Sequence, residues 1–233
     1  MAARGLFVTF EGGEGAGKST QVALLKGRLE AEGRRVVQLR EPGGTKFGEE
    51  LRELLLSSSK LATRTEMLLF LAARSELVDK MVKPALSAGI DVISDRFIDS
   101  TVAYQGYGRG LDIELIRTLN EAVIDGCLPD VTVLLDVDPD VGLTRVSEGA
   151  AGDAIEGHWQ AGLSLQESEP ARGKRVGGRD AAFHRKVRRG YLAIAKAEPV
   201  RVLLLDATQA PDVIAYAVWQ RVEAVRTARD SEV

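Results

Sequence analysis

A glycine-rich stretch of eight residues has the composition and spacing that bind a nucleoside triphosphate. Residues 12–19 read Gly-Gly-Glu-Gly-Ala-Gly-Lys-Ser and fit the pattern G-x-x-x-x-G-K-[ST] between an apolar run and a stretch of helical period. Glycines let successive backbone N–H groups surround phosphate oxygens, and a following helix N-terminus favours the same anion. Lys18 would reach the β- and γ-phosphates, and the Ser19 hydroxyl would bind Mg²⁺. The pattern predicts this chemistry over a ligand-free glycine turn and leaves the phosphoryl acceptor open.

Candidate acceptor-binding residues follow predicted strands or share one face of a predicted helix. Phe70 and Arg74 are four residues apart, so they could stack on a planar base and hydrogen-bond its exocyclic oxygen. The alternative is that Phe70 belongs to the core and Arg74 is a solvated charge. Arg96 directly follows a buried strand and could bind a phosphate with two hydrogen bonds, or else pair with Asp95 or Asp99. Two further candidate segments are residues 40–45, Arg-Glu-Pro-Gly-Gly-Thr, and residues 100–106, Ser-Thr-Val-Ala-Tyr-Gln-Gly.

The elements that must position these residues alternate between strands and helices. Five short, mostly apolar runs suit strands buried on both faces of a parallel sheet: Leu6–Phe10, Arg35–Leu39, Asp91–Ser94, Val131–Val137 and Val200–Leu205. Six stretches of helical period lie between or after them: Thr20–Glu32, Glu66–Leu86, Leu111–Asp125, Pro139–Glu148, Phe183–Ala197 and Pro211–Ala228. Thr63 and Glu66 have the spacing of a capping box at the start of the second helix. The alternation predicts a three-layer α/β fold in which ligands bind beyond the carboxyl ends of the strands.

One long segment breaks this alternation. Gly149–Asp180 is rich in Gly, Ala, Ser, Glu and Arg, has no sustained period and is too long for an ordinary connection. We interpret it as an extended lid or a partly disordered insertion within a single domain that covers residues 1–233. His158 and His184 do not have the spacing or the cysteine partners of a zinc site.

Composition excludes several classes of protein. The 233 residues are 45% hydrophobic and 28% charged, as in ordinary globular proteins, and the net charge of −3 gives no reason to expect nucleic-acid binding. Cys127 is the one cysteine, so an intrachain disulfide is excluded. The sequence contains no run of 18 apolar residues and no signal-peptide pattern, so we expect no membrane partner and a cytoplasmic location.

Taken together in their order along the chain, the motifs closely resemble those of bacterial thymidylate kinases. The motifs are residues 11–20 around the glycine-rich stretch, residues 40–45, Asp95-Arg96-Phe97 and Ser100-Thr101-x-Ala103-Tyr104-Gln105-Gly106. The resemblance covers residues 5–148 and resumes from Phe183 to Gln209. It implies a five-stranded parallel sheet of the P-loop kinase type, usually a homodimer, that transfers the γ-phosphoryl group of ATP to dTMP with Mg²⁺.

The resemblance also implies roles for individual residues. Those implied to bind ATP are Gly12, Gly13, Glu14, Gly15, Ala16, Gly17, Lys18, Ser19, Thr20 and Arg145, with the loop 206–209 also beside adenine. Those implied to bind dTMP are Arg40, Pro42, Phe70, Arg74, Arg96, Thr101, Tyr104 and Gln105. Those implied to take part in catalysis are Lys18, Arg96, Glu14 and Asp95. Ser19 and Asp95 would place Mg²⁺, Glu14 would lie near the sugar 3′-hydroxyl, and Tyr104 would disfavour a 2′-hydroxyl.

The sequence departs from the family at the catalytic arginine. Gly15 provides no arginine in the glycine-rich stretch, and Ala154 stands where a lid arginine is expected, in Asp153-Ala154-Ile155-Glu156. A displaced lid arginine could replace it, with a neighbouring Lys174 and three candidate arginines, Arg172, Arg175 and Arg179. The enzyme could instead work slowly without one, or the protein could be a non-catalytic nucleotide-binding homologue.

Two other functions remain open at this point. One is a kinase for another nucleoside monophosphate, which would keep the glycine-rich stretch and differ in the base pocket. The other is a P-loop switch or motor ATPase, in which the apolar strand ending at Asp136 would bind Mg²⁺. This second alternative gives no role to residues 40–45 or to Asp95 and Arg96.

Overall fold

The computed structural model describes residues 4–58, 61–148 and 179–231. Five parallel strands form one sheet with the order β2-β3-β1-β4-β5, and their bounds are β1 Phe7–Gly12, β2 Val36–Arg40, β3 Asp91–Asp95, β4 Val131–Asp136 and β5 Val202–Asp206. The five predicted strands and the five-stranded parallel sheet are confirmed, with ends shifted by at most two residues.

Nine α-helices and two π-helical segments surround the sheet in the described residues. The α-helices are α1 Lys18–Ala31, α2 Lys46–Ser57, α3 Thr63–Leu77, α4 Lys83–Ser87, α5 Ile98–Thr101, α6 Ile113–Ile124, α7 Pro139–Glu148, α8 Arg179–Ala197 and α9 Pro211–Asp230. The π-helical segments are Val78–Val82, which joins α3 to α4, and Val102–Gly108, which continues α5. The prediction of one continuous α-helix over residues 66–86 is therefore wrong, because a π-helical segment interrupts it.

The predicted capping box is also wrong. Ala62 is the N-cap of α3, so Thr63 already lies inside the helix and caps nothing. The carboxylate of Glu66 accepts hydrogen bonds from the side chains of Gln105 and Arg109, each at 2.8 Å. Tertiary partners within and just after the neighbouring π-helical segment thus bind the Glu66 carboxylate, which the local pattern had assigned to the cap of α3.

Apolar side chains on both faces of the sheet hold the three layers together. Val8 and Phe10 of β1 point to one face and pack with α1 and with Trp219 of α9. Phe7 points to the opposite face and meets the ring of Phe97 edge-on, with centroids 5.0 Å apart. Burial on both faces explains why the strands read as continuous apolar runs, and it confirms the predicted three-layer α/β fold.

The register of the sheet brings the polar ends of the strands to one edge. Asp95 of β3 lies opposite Phe10 of β1 and Arg40 of β2, and Asp136 of β4 lies opposite Asp206 of β5. The glycine-rich stretch follows the carboxyl end of β1, which is the central strand of the sheet, so it lies beside these polar residues. The candidate site residues are therefore gathered at the position where open α/β sheets bind ligands.

Candidate active site

The glycine-rich stretch forms a loop between β1 and α1, as predicted. Gly17 is the N-cap of α1 with φ 87°, a left-handed conformation that glycine adopts without strain. The Lys18 ammonium donates to the backbone oxygens of Gly13 at 2.9 Å and Gly12 at 3.3 Å. A buried lysine at the N-terminus of a fourteen-residue helix provides positive charge next to backbone N–H groups. The loop has the chemistry of an anion site.

Helix α7 lies directly against this loop. A Cβ atom on Gly15 would be 2.2 Å from the backbone oxygen of Gly142, and φ of Gly15 is +64°. A side chain at position 15 is therefore excluded unless α7 moves. The guanidinium of Arg145 donates to the backbone oxygens of Gly15 at 3.3 Å and Ala207 at 3.0 Å. Arg145 thus joins the glycine-rich loop to the 206–209 turn, and the resemblance implies that Arg145 and this turn flank adenine.

A cavity beside the loop is lined by five of the eight residues that were predicted to bind dTMP, and Arg40, Pro42 and Tyr104 are not among its lining residues. Its lining residues are Glu41, Phe70, Arg74, Arg96, Ser100, Thr101 and Gln105. Five of these were predicted from the sequence to contact dTMP. They come from α3, from the turn after β3 and from the helical segment that follows it, so only the tertiary fold brings them together.

Arg74 is a buried member of this cavity and makes five hydrogen bonds. Two go to one oxygen of Glu41, one of them at 2.8 Å, and the other three go to the Thr101 hydroxyl at 3.0 Å, the Asn120 side chain at 2.7 Å and the Phe97 backbone oxygen at 2.9 Å. Arg74 is only 1% exposed, so the alternative of a solvated charge is wrong. Because every N–H group has a protein partner, a contact with a base would share or replace one of these bonds.

Glu41 shows the electrostatic balance at this buried pair. Burial raises the pKa of the Glu41 carboxyl above its ordinary value, and the Arg74 guanidinium opposes that rise.

Phe70 is 6% exposed and packs in an apolar cluster with Met67 and Leu71 while it also lines the cavity. The core position of Phe70 and its proposed contact with a base are therefore compatible.

Arg96 lies at the turn after β3 in a left-handed conformation, with φ 69°. Its guanidinium carbon is 5.1 Å from the centre of the Tyr104 ring, and one of its nitrogens is 4.0 Å from Glu14 Oε1. Asp99, one of its two alternative partners, accepts two hydrogen bonds from Arg201, at 2.7 and 2.9 Å. Arg96 therefore lies between the acceptor cavity and the glycine-rich loop.

Glu14 of the loop is held by aromatic and imidazole groups from two helical segments. The Tyr104 hydroxyl donates to Glu14 Oε2 at 2.6 Å, and Nδ1 of His184 is 3.8 Å from the same oxygen. Burial raises the pKa of the Tyr104 hydroxyl well above its ordinary value, so Tyr104 remains a hydrogen-bond donor. The sequence argument excluded His184 as a zinc ligand but gave it no other role, and the structure places it in contact with the site.

Glu11 is a site residue that the sequence argument quoted in a motif without a role. Its carboxylate is fully buried and accepts from the Phe97 backbone N–H at 2.7 Å, the Ser100 hydroxyl at 2.6 Å and the Tyr191 hydroxyl at 2.9 Å. Burial, with the nearby Asp99 charge, raises the pKa of Glu11 to about 7. A glutamate directly before the glycine-rich loop was the available signal, but its partners are distant in sequence.

The structure describes some of the remaining predicted residues and not others. Arg40 is exposed at the end of β2, 3.3 Å from Glu49 Oε2, and the Pro42 backbone oxygen accepts from Arg52 at 3.0 Å. Arg179 is the first residue of α8 and so lies outside the irregular part of the predicted lid. The other lid positions lie outside the described residues: Ala154, Arg172, Lys174 and Arg175.

Asp136 is the carboxylate that would bind Mg²⁺ in a switch or motor ATPase. Both of its carboxylate oxygens accept from the Arg188 guanidinium, at 2.7 and 2.9 Å. A carboxylate bound in this bidentate way is satisfied by an arginine. Asp136 is therefore engaged by α8, and Asp95 lies opposite Phe10 of β1.

Comparison with known proteins agrees with this geometry. Residues 10–158 match the family model for thymidylate kinase. The chain is 48% identical over 219 residues to a thymidylate kinase of Solidesulfovibrio magneticus, covering 92% of this chain and 97% of that protein. It is 46% identical to one from a Synechococcus species, covering 94% and 95% of the two chains. A crystal structure of thymidylate kinase from Ehrlichia chaffeensis superposes with a TM-score of 0.70 at 35% identity, covering 94% of this chain and 99% of that one.

The chain belongs to the thymidylate kinase family. Membership confirms the resemblance, the P-loop kinase fold and the prediction of a phosphotransferase. It favours neither the switch or motor ATPase nor the non-catalytic homologue. Within the described residues, no helix is long and apolar enough to cross a membrane.

Proposed function

We propose that this protein transfers the γ-phosphoryl group of ATP to dTMP and releases dTDP and ADP. The observation that carries the proposal is the acceptor cavity of Phe70, Arg74 and Arg96 next to the glycine-rich loop. An aromatic face and a guanidinium suit a planar base, and a second guanidinium suits a phosphate. The cavity thus offers groups that suit the base and the phosphate of a nucleoside monophosphate. It lies beside the glycine-rich loop, which would hold the phosphates of a nucleoside triphosphate.

Phosphoryl transfer depends mainly on positioning and charge stabilisation. An oxygen of the dTMP phosphate forms a bond to the γ-phosphorus, and the bond from that phosphorus to the bridging oxygen breaks as ADP leaves. Lys18 would hold the β- and γ-phosphates and Arg96 the acceptor phosphate, so both reduce the repulsion between two anions. Glu14, fixed by Tyr104 at 2.6 Å, would receive the sugar 3′-hydroxyl.

The residues at the loop fit a magnesium ion. Mg²⁺ prefers oxygen ligands and is commonly held by one or two protein groups together with substrate phosphates. The Ser19 hydroxyl is exposed at the start of α1, and Asp95 ends the neighbouring strand β3. When bound, Mg²⁺ would neutralise charge on the triphosphate, and Ser19 and Asp95 would hold it or its waters.

We also propose a homodimer, as the resemblance implies, in the cytoplasm. Three neighbouring helices each leave a leucine about half exposed, namely Leu54 of α2, Leu68 of α3 and Leu115 of α6. A contiguous exposed apolar patch marks an association surface, and we propose that these leucines contribute to one. Sedimentation equilibrium should give twice the 25.1 kDa chain mass, and Leu68→Glu should shift it towards one chain. A single-chain mass for the unmodified protein would reject the dimer.

The catalytic arginine remains a prediction about residues beyond β4 and α7. We propose that one of the basic residues that precede or begin α8 supplies it, since neither Gly15 nor Ala154 can. Combined replacement of the four basic residues by Ala should lower kcat a hundredfold or more. The four residues are Arg172, Lys174, Arg175 and Arg179. An unchanged kcat would reject a displaced arginine.

The decisive assay is ADP release from ATP and Mg²⁺ with each of four monophosphates. We expect strong stimulation by dTMP and much weaker stimulation by dUMP, dCMP and dGMP. Equal stimulation by another monophosphate would assign a different acceptor. Binding of ATP and dTMP without ADP release would contradict the proposed transfer.

A further inference from the structure

Helix α8 crosses the π-helical segment Val102–Gly108 at unusually close range. A Cβ atom on Gly108 would lie 2.6 Å from the Phe183 ring, and one on Gly190 would lie 2.8 Å from the Tyr107 ring. Two glycines therefore let the backbones approach until aromatic rings fill the space between them. The neighbouring Tyr191 is carried inwards by this contact and is only 3% exposed.

The Tyr191 hydroxyl ends at the turn that carries Arg96. It donates to Glu11 Oε2 at 2.9 Å and is 2.9 Å from the Ser100 hydroxyl. One nitrogen of Arg96 lies 3.5 Å from the Tyr191 hydroxyl and 3.4 Å from that of Ser100. With its single hydrogen given to Glu11, the Tyr191 oxygen keeps its acceptor capacity for Arg96.

The Arg96 guanidinium is thus contacted on several sides. The Tyr104 ring lies 5.1 Å from its central carbon, Glu14 lies 4.0 Å from one nitrogen, and the two hydroxyls face another. A planar guanidinium binds phosphate with two parallel hydrogen bonds only when its plane is correctly oriented. Contacts that fix this plane before the substrate arrives reduce the ordering that binding requires.

We infer that Tyr191 is a positioning residue for the acceptor phosphate, which acts by orienting the guanidinium of Arg96 from helix α8. The inference rests on the proposed function, in which Arg96 binds the dTMP phosphate. It assigns to α8 a role in the acceptor half of the site. Apolar packing of the Tyr191 ring is a separate contribution, because the ring lies in a cluster with Leu134 and Val187.

The substitution Tyr191→Phe removes the hydroxyl and keeps the ring. We expect the KM for dTMP to rise roughly fivefold to tenfold, as for loss of one or two hydrogen bonds, while the KM for ATP stays within about twofold. The matched control is Tyr216→Phe, because Tyr216 is 63% exposed on α9 and its hydroxyl contacts only Gln220 among the described contacts. Both KM values should be unchanged in the control.

A double-mutant cycle with Arg96→Lys separates positioning from packing. If Tyr191 acts through Arg96, Tyr191→Phe should change the KM for dTMP by less than about twofold in the Arg96→Lys background. An equal increase in both backgrounds would overturn the inference, as would a Tyr191→Phe variant with a normal KM for dTMP. If Arg96→Lys alone leaves the KM for dTMP unchanged, the proposed role of Arg96 fails and this inference falls with it.

A second variant covers a folding failure of Tyr191→Phe. Ser100→Ala removes the other hydroxyl that faces Arg96, so it should also raise the KM for dTMP and spare the KM for ATP. Equal increases for both substrates, or no increase for dTMP, would overturn the inference by showing that the hydroxyl pair does not act on the acceptor side.

Discussion

Replacing Arg74 by Met tests whether a buried ion pair holds the acceptor cavity together. Arg74 and Glu41 are 1% and 4% exposed in their side chains, and two N–H groups of Arg74 bind one oxygen of Glu41. Methionine has similar length and no charge, so the substitution leaves Glu41 buried without its cation. The variant therefore isolates the electrostatic contribution from the loss of volume.

The expected loss of stability follows from these contacts. Removing one partner of a buried ion pair costs about 3–5 kcal/mol, because the remaining charge is uncompensated. Loss of the bonds to Thr101, Asn120 and the Phe97 backbone adds to this cost. We therefore expect the free energy of unfolding to fall by roughly 4 kcal/mol at pH 8, a large fraction of the stability of a typical domain.

Urea unfolding followed by circular dichroism would measure this loss at pH 8 and pH 5.5. Burial already raises the pKa of Glu41, and without Arg74 the folded carboxyl should bind a proton more readily, so the loss should shrink at the lower pH. Adding Glu41→Gln to Arg74→Met should restore part of the stability at pH 8. The matched control is Arg117→Met, whose pair with Glu114 is exposed and should matter by less than about 1 kcal/mol.

The reasoning is refuted if Arg74→Met costs no more than the exposed control at pH 8. It is also refuted if Glu41→Gln makes the Arg74→Met variant less stable still, because an unpaired buried charge could not then be the cause. Catalysis gives a second readout, since the contact of Arg74 with Thr101 joins two lining residues of the cavity. We expect kcat/KM for dTMP to fall further than kcat/KM for ATP.

Three other substitutions test the loop and the strand before it. Lys18→Ala should abolish turnover in a folded protein, because a charge that bridges the phosphates is lost; near-normal kcat would reject its role. Gly15→Arg should lower both the unfolding midpoint and kcat and should not supply the missing arginine, because a Cβ atom there meets the Gly142 backbone at 2.2 Å. Since the folded pKa of Glu11, about 7, is above its ordinary 4.5, its contribution to stability is greatest at low pH and is lost as pH rises through 7. The stability difference between wild type and Glu11→Gln should change by roughly 3 kcal/mol between pH 4.5 and 8 in denaturant titrations, and a constant difference would contradict the shift.

The strands and the triphosphate site could be predicted because their signals are local. An apolar run of five or six residues fits a strand buried on both faces, and the glycine pattern fixes the loop after β1. Helix α2 was missed because residues 40–45 were read only as a binding segment. The sequence nevertheless contained a signal for the start of this helix. Thr45 is its N-cap, and its side chain accepts a hydrogen bond from the Gly48 N–H at 2.9 Å.

The acceptor side was predictable in composition but not in its bonding. Phe70, Arg74, Arg96, Thr101 and Gln105 were named from the sequence and the resemblance, and the structure gathers them around one cavity. Their partners Glu41, Glu66, Asn120 and Tyr191 come from elements far away in the chain, and no spacing rule relates them. Partner choice in a buried polar network is decided by the tertiary fold, which local pattern does not contain.

In the π-helical segment Val102–Gly108, the number of residues is constrained as well as their identity. Val102 to Gly106 are all buried, and two adjacent side chains serve opposite neighbours, with Tyr104 bonded to Glu14 and Gln105 to Glu66. A π turn holds more residues than an α turn, so a one-residue deletion would allow the turn to tighten to α-helical form. The helical residues on either side would then keep nearly the same orientation, but the turn would carry one buried side chain fewer. Substitutions can therefore change these side chains one at a time, whereas a deletion would remove one of the positions from which Tyr104 and Gln105 reach their separate neighbours Glu14 and Glu66.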